Sequence, residues 1–93
     1  MVRIGFKGPL AKSLGLRELE VEGGSLGEVL KRLSERLGVE ITRKGSRIYM
    51  VIGDGRKGKS TASVFHNGKN VITAGIDEIR GGTLEIITPM GGG

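Results

Sequence analysis

Between Ser25 and Gly38 the chain carries one clear helical pattern, and that single pattern limits the folds open to it. Leu26, Val29, Leu30, Leu33 and Leu37 recur at helical spacing and make one apolar stripe. Lys31, Arg32, Glu35 and Arg36 fall on the opposite side. Ser25 reads as the N-cap, Glu28 three residues later completes a capping box, and Gly38 stands where a helix end favours a left-handed residue. The remaining apolar residues alternate at period two, as in strands with one buried face. One amphipathic helix among short strands has to lie on a sheet, so the expected class is α+β.

Val2, Ile4 and Phe6 alternate with Arg3, Gly5 and Lys7, and Leu19 and Val21 alternate with Glu18, Glu20 and Glu22. These two runs predict a hairpin with a loop of roughly ten residues between them. Beyond the helix, Ile48, Met50 and Ile52 alternate with Tyr49 and Val51, so both faces are apolar and the strand is expected inside a sheet or at an interface. Ala62, Val64 and Phe65 predict another strand, Asn67-Gly68 a tight hairpin turn, and Val71-Ile72 the return. Gly75 to Gly82 reads as a connection with Ile76 and Ile79 on a single helical turn, and Thr83 to Thr88 as the last strand. Leu84 and Ile86 should face the core. Pro89 closes the strand pattern.

Composition removes several function classes. Ninety-three residues, 37% of them hydrophobic, support one modest core and no second domain. Cysteine is absent and His66 is the sole histidine, which excludes disulfide frameworks, cysteine-based metal sites and thiol or Ser–His nucleophiles. No metal and no resident cofactor is expected. The opening Met1–Lys7 is too short and too charged for a signal sequence and no apolar run approaches a membrane span, so a cytoplasmic protein without a membrane partner is expected. The net charge of +5 favours an acidic partner, but aromatics at 3% leave little for stacking bases, so a nucleic-acid partner is not expected.

Glycine is over-used, at 18 of 93 residues against a usual ~7%. Gly53-Asp54-Gly55-Arg56-Lys57-Gly58-Lys59-Ser60 fits the phosphate-loop pattern G-x-x-x-x-G-K-[ST] letter for letter. That motif works by feeding a helix whose N-terminus meets the phosphates. Thr61 to Gly68 is instead a β-branched and aromatic run ending in a turn. A solvated loop is therefore expected, with phosphate contact through Arg56, Lys57 and Lys59 as the lesser reading.

Gly91-Gly92-Gly93 is the other glycine cluster. Five residues beyond the last strand reach roughly 17 Å when extended. Without Cβ atoms they can thread a narrow channel and bring a carboxylate close to a reacting centre. Taken end to end, the sequence resembles the β-grasp sulfur-carrier family, the MoaD-like and ThiS-like relatives of ubiquitin. The opening Val2–Leu10 with Leu19-Glu20-Val21 resembles the family's first hairpin, and Ser25–Leu33 its helix. Val64-Phe65-His66-Asn67-Gly68-Lys69 resembles its asparagine–glycine hairpin, and Pro89-Met90-Gly91-Gly92-Gly93 its ending.

The resemblance implies a β-grasp domain over residues 1–88, with a mixed sheet of four to five strands on one main helix, and a flexible glycine tail over residues 89–93. It implies a carrier and not an enzyme. An activating enzyme would adenylate the Gly93 carboxylate, sulfur would displace AMP to leave a thiocarboxylate, and an acceptor such as the molybdopterin synthase large subunit would take the sulfur. The pathway implied is molybdopterin or tungstopterin synthesis, with Gly91 and Gly92 as the slender arm. Ile87 and Met90 are expected to form an apolar docking patch beside it, with edge packing as the alternative. Arg43, Lys44 and Arg47 read as a solvated face, and His66 as a surface residue. Two other functions stay open: a protein modifier ligated through Gly93, and a small basic nucleic-acid-binding module using Arg56 to Lys59.

Overall fold

The structure, a computed structural model, describes residues 1–51 and 60–88. Nine elements follow in the order β1 (Val2–Lys7), α1 (Pro9–Leu14), β2 (Glu18–Val21), α2 (Leu26–Leu37), β3 (Glu40–Lys44), β4 (Arg47–Val51), β5 (Ser60–His66), β6 (Lys69–Asn70) and β7 (Thr83–Ile87). The strands form one mixed, curled sheet in the order β2-β1-β7-β5-β4-β3, with β6 paired to β5 off that path. The chain is α+β, as expected. The sheet has seven strands, two more than the larger number expected: β3 was not foreseen, and the return expected at Val71-Ile72 pairs instead at Lys69–Asn70 as β6, with residues 71–75 forming a turn.

The helix α2 has the predicted bounds and caps. Ser25 Oγ accepts from the Glu28 amide at 3.2 Å, and Glu28 Oε1 accepts from the Gly24 amide at 2.7 Å. The box thus closes one residue further back than its usual form. Leu26, Val29, Leu30 and Leu33 are buried. They cover Val2, Ile4 and Phe6 of β1, Ile48 and Met50 of β4, Ala62 and Val64 of β5, and Leu84 and Ile86 of β7 in one cluster. Each of these side chains other than Ala62 contributes roughly 1.5–3 kcal/mol by leaving water.

Three connections differ from expectation. The link from β1 to β2 holds the short helix α1, with Pro9 in its first turn and Gly15 as its left-handed C-cap. Six residues cannot sustain a helix alone; Leu10, which is 1% exposed, ties it to the core. The β3–β4 link is a two-residue turn, Gly45-Ser46. Gly45 takes φ 58, the positive value that a II′ hairpin turn asks of its first central residue.

The segment from Val71 to Gly82 contains no helical turn at Ile76 and Ile79. Its turn lies at residues 71–75, where Asn70 Oδ1 accepts from the amides of Ile72 and Thr73. The chain then runs extended past the helix start. The Leu26 amide donates to Asp77 at 2.7 Å, the Ile79 amide donates to Gly24 at 3.2 Å, and Ser25 bridges Glu78. Ile79 is fully buried by this arrangement. Backbone pairing at the α2 N-terminus wins over the weak helical spacing of two isoleucines.

Candidate functional site

The strand that leads to the glycine tail lies in the middle of the sheet. β7 runs parallel to β1, with Ile4 opposite Leu84 and Lys7 opposite Ile87. It runs antiparallel to β5, with Ser63 opposite Ile87 and Phe65 opposite Glu85. Leu84, Ile86 and Thr88 are all buried, at 0%, 1% and 4% exposure. As expected, Leu84 and Ile86 face the core and Ile87 takes the other face, half-buried. Met90, Gly91, Gly92 and Gly93 lie outside the described residues, as do Arg56, Lys57 and Lys59 of the glycine–lysine loop. Ser60 begins β5, so the residues that would have to open a phosphate-binding helix form a strand.

The start of β7 is fixed by the Asn67-Gly68 turn. Both residues have positive φ, 51 and 87, the I′ geometry that matches strand twist. The Asn67 amide donates to the Thr83 carbonyl at 3.0 Å, and Asn67 Oδ1 accepts from the Thr83 amide at 3.2 Å. His66 is not the free surface residue expected. It is half-buried, with Nε2 2.8 Å from the Gly81 carbonyl oxygen. A carbonyl only accepts, so Nε2 is the protonated nitrogen in this contact. His66 and Asn67 together hold the β6–β7 crossover against the start of the final strand.

The sheet face away from α2 presents the other candidates. Strand alternation places Arg3 and Lys7 of β1, Tyr49 and Val51 of β4, Ser63 and Phe65 of β5, and Glu85 and Ile87 of β7 on that face. Phe65, Ile87, Tyr49 and Val51 are half-buried there. Lys7 and Glu85 form an ion pair at 3.3 Å, with side chains 55% and 40% exposed. A solvated pair of this kind adds little to stability.

At the far side of the face, Lys44 of β3 lies directly opposite Arg47 of β4. The same register places Arg47 beside Ser63, because Ile48 pairs with Ala62. Lys7, Ile87, Ser63, Arg47 and Lys44 therefore form one row across five strands. The sequence reading had the exposure of Lys44 and Arg47 right but missed their convergence on the Ile87 row. Gly45-Ser46, a dipeptide that permits a two-residue hairpin, was the signal that could have found it.

Arg43, on the helix side of β3, pairs with Asp77 at 3.5 Å. Among the described residues, no three acidic or imidazole side chains come together as a cation site, and no helix is long and apolar enough to cross a membrane. What these residues offer is a surface for contact, together with a rigid base for the segment that follows Thr88. Compared with family models, with curated proteins and with solved structures, the chain matches none.

Proposed function

We propose that this chain is a β-grasp sulfur carrier whose reacting group is the Gly93 carboxylate. The observation that carries the reading is the placement of β7. The strand preceding the glycine run is central in the sheet, hydrogen-bonded on both sides, and buried through Thr88. Such a strand gives the five residues after it a fixed origin. The order of hairpin, helix and a final strand returning parallel to the first also favours a β-grasp assignment.

In this reading the scaffold performs no chemistry. An activating enzyme supplies ATP, and the carboxylate oxygen attacks the α-phosphorus with release of pyrophosphate. The mixed anhydride is a far better electrophile than the carboxylate. A sulfide sulfur attacks the carbonyl carbon, AMP leaves, and a thiocarboxylate remains for transfer to an acceptor in molybdopterin or tungstopterin synthesis. Gly91 and Gly92 serve as the arm that enters the active site. The absence of cysteine suits a carrier that holds its sulfur on the main-chain carboxyl group.

Intact-mass spectrometry after incubation with an activating enzyme, ATP and a sulfur donor tests the proposal. The expected product is heavier by the difference between one sulfur and one oxygen. Conjugates with lysines of other proteins would indicate a modifier instead. Deleting Gly92 and Gly93 should abolish charging and leave the melting temperature almost unchanged, because the described core is complete by Thr88. A large loss of stability on that truncation would sink the account of the tail.

A further inference from the structure

We propose that the outer sheet face around Ile87 docks an acidic protein surface, with Arg47 and Lys44 as the cationic contacts. The partner meant is the activating enzyme, so the inference rests on the carrier reading and adds the chemistry of the surface that the enzyme must present. Three features of the face lead to it.

Lys44 and Arg47 stand directly opposite one another in the register. Like charges in that position are destabilising. Among the described residues neither makes an ion pair with an acidic side chain. Among the described residues nothing offsets this repulsion, and it lies at a two-residue turn where either residue could be changed without touching the core. An anionic group from outside would relieve it.

The row containing this pair also contains Ile87. Four inter-strand steps separate Lys44 from Lys7, about 19 Å at the usual strand spacing. Half-exposed Ile87 and Phe65 lie between. Lys7 at one end is paired with Glu85, so the row runs from that ion pair across an apolar stretch to the like-charged Lys44 and Arg47 at the other end, a layout of apolar centre and charged rim. Acidic side chains gather at the opposite edge, where Glu18 and Glu20 of β2 are exposed. Glu40, exposed at the other end of β3 opposite Val51, leaves the Lys44–Arg47 turn as the cationic point of the β3–β4 edge, and the net charge of +5 would steer an acidic partner towards the chain.

A nucleic acid fits the same face poorly. Tyr49 is opposite Thr61, four residues along β5 from Phe65, so the two rings stand about 13 Å apart along the strand direction. Successive bases need closer platforms.

The test uses the full chain, the double variant Lys44→Glu/Arg47→Glu and the control Lys12→Glu/Lys31→Glu, which changes net charge equally on other exposed positions. Reversing both members of the turn pair keeps it like-charged, so the melting temperature should stay as it was. With an activating enzyme that charges Gly93, the turn variant should raise KM for the carrier ~10-fold at low salt with kcat unchanged, and the difference should shrink as salt rises. Equal losses in both variants, or none in either, would overturn the proposal.

A second arm needs no enzyme. Titrating the ¹⁵N-labelled chain with a glutamate-rich, leucine-containing peptide should shift the amides of Lys7, Arg47, Ser63 and Ile87. Tighter binding of a single-stranded oligonucleotide at those amides would defeat the proposal in favour of nucleic acid. If no activating enzyme charges Gly93 while the peptide shifts those amides, the carrier reading fails and the acidic-docking face survives. If charging proceeds with identical KM for all three proteins, the reverse holds.

Discussion

β7 and β3 are both five residues long, and they serve opposite ends. β7 has a strand on each side and places Leu84 and Ile86 under α2, almost wholly out of water. β3 is the sheet's terminal strand on that side, and three of its five residues, Glu40, Arg43 and Lys44, are exposed. Charged residues on an edge strand also discourage edge-to-edge pairing with another sheet. The difference separates holding from presenting. The central strand fixes where the tail begins, while the edge hairpin carries, in Lys44 and Arg47, charge that has no acidic partner among the described residues.

Substitution in the two strands is the strongest way to break this contrast. Leu84→Ala removes a side chain that is 0% exposed, and the lost burial and resulting cavity should cost ~2–5 kcal/mol in denaturant unfolding. Ile41→Ala, at a half-buried position of β3, should cost ~1 kcal/mol. Equal losses would show that β3 is as much a part of the core as β7.

The turns that feed each strand give a smaller contrast. Gly82, just before β7, has φ 81, and a Cβ there would lie 2.7 Å from Asn67 Oδ1, the atom that accepts from the Thr83 amide. Gly82→Ala should therefore cost ~1–3 kcal/mol, from backbone strain and a displaced hydrogen bond together. Gly45 has φ 58 but nothing within 4 Å of its would-be Cβ. Gly45→Ala should show only the left-handed strain of ~1–2 kcal/mol. Thermal melts of both variants, alone and with Asn67→Ala, would separate the clash from the strain.

What could be read from the sequence follows the same divide between local and distant causes. The α2 bounds and caps were legible because Ser25, Glu28 and Gly38 act within a turn of themselves, and Asn67-Gly68 announced its hairpin for the same reason. The helix α1 was hidden because its six residues depend on Leu10 meeting a core assembled elsewhere. β3 was hidden because an exposed edge strand lacks the clean alternation of a half-buried one, and Arg43 and Lys44 looked like any solvated run. The central place of β7 was out of reach, since its parallel partner β1 lies some eighty residues away in sequence. His66 was misjudged because its carbonyl partner, Gly81, is fixed only by that long-range closure. Of the candidate site, Ile87 could be placed by alternation alone. The row that joins it to Arg47 and Lys44 needed the register of four strand pairs.

The smallest expected effect bears most directly on the edge hairpin. Lys44→Glu turns a repulsive cross-strand pair with Arg47 into an attractive one, which should stabilise the fold by ~0.2–1 kcal/mol at low salt. The gain should fade as salt rises, because both side chains are exposed and screened. The same variant should bind an acidic partner less well than the original chain. A substitution that strengthens the scaffold and weakens docking is the expected mark of a residue kept for a partner at some cost to stability. If Lys44→Glu instead lowers the melting temperature, the hairpin contains a favourable interaction of Lys44, and its lone cationic pair is part of how the sheet holds together.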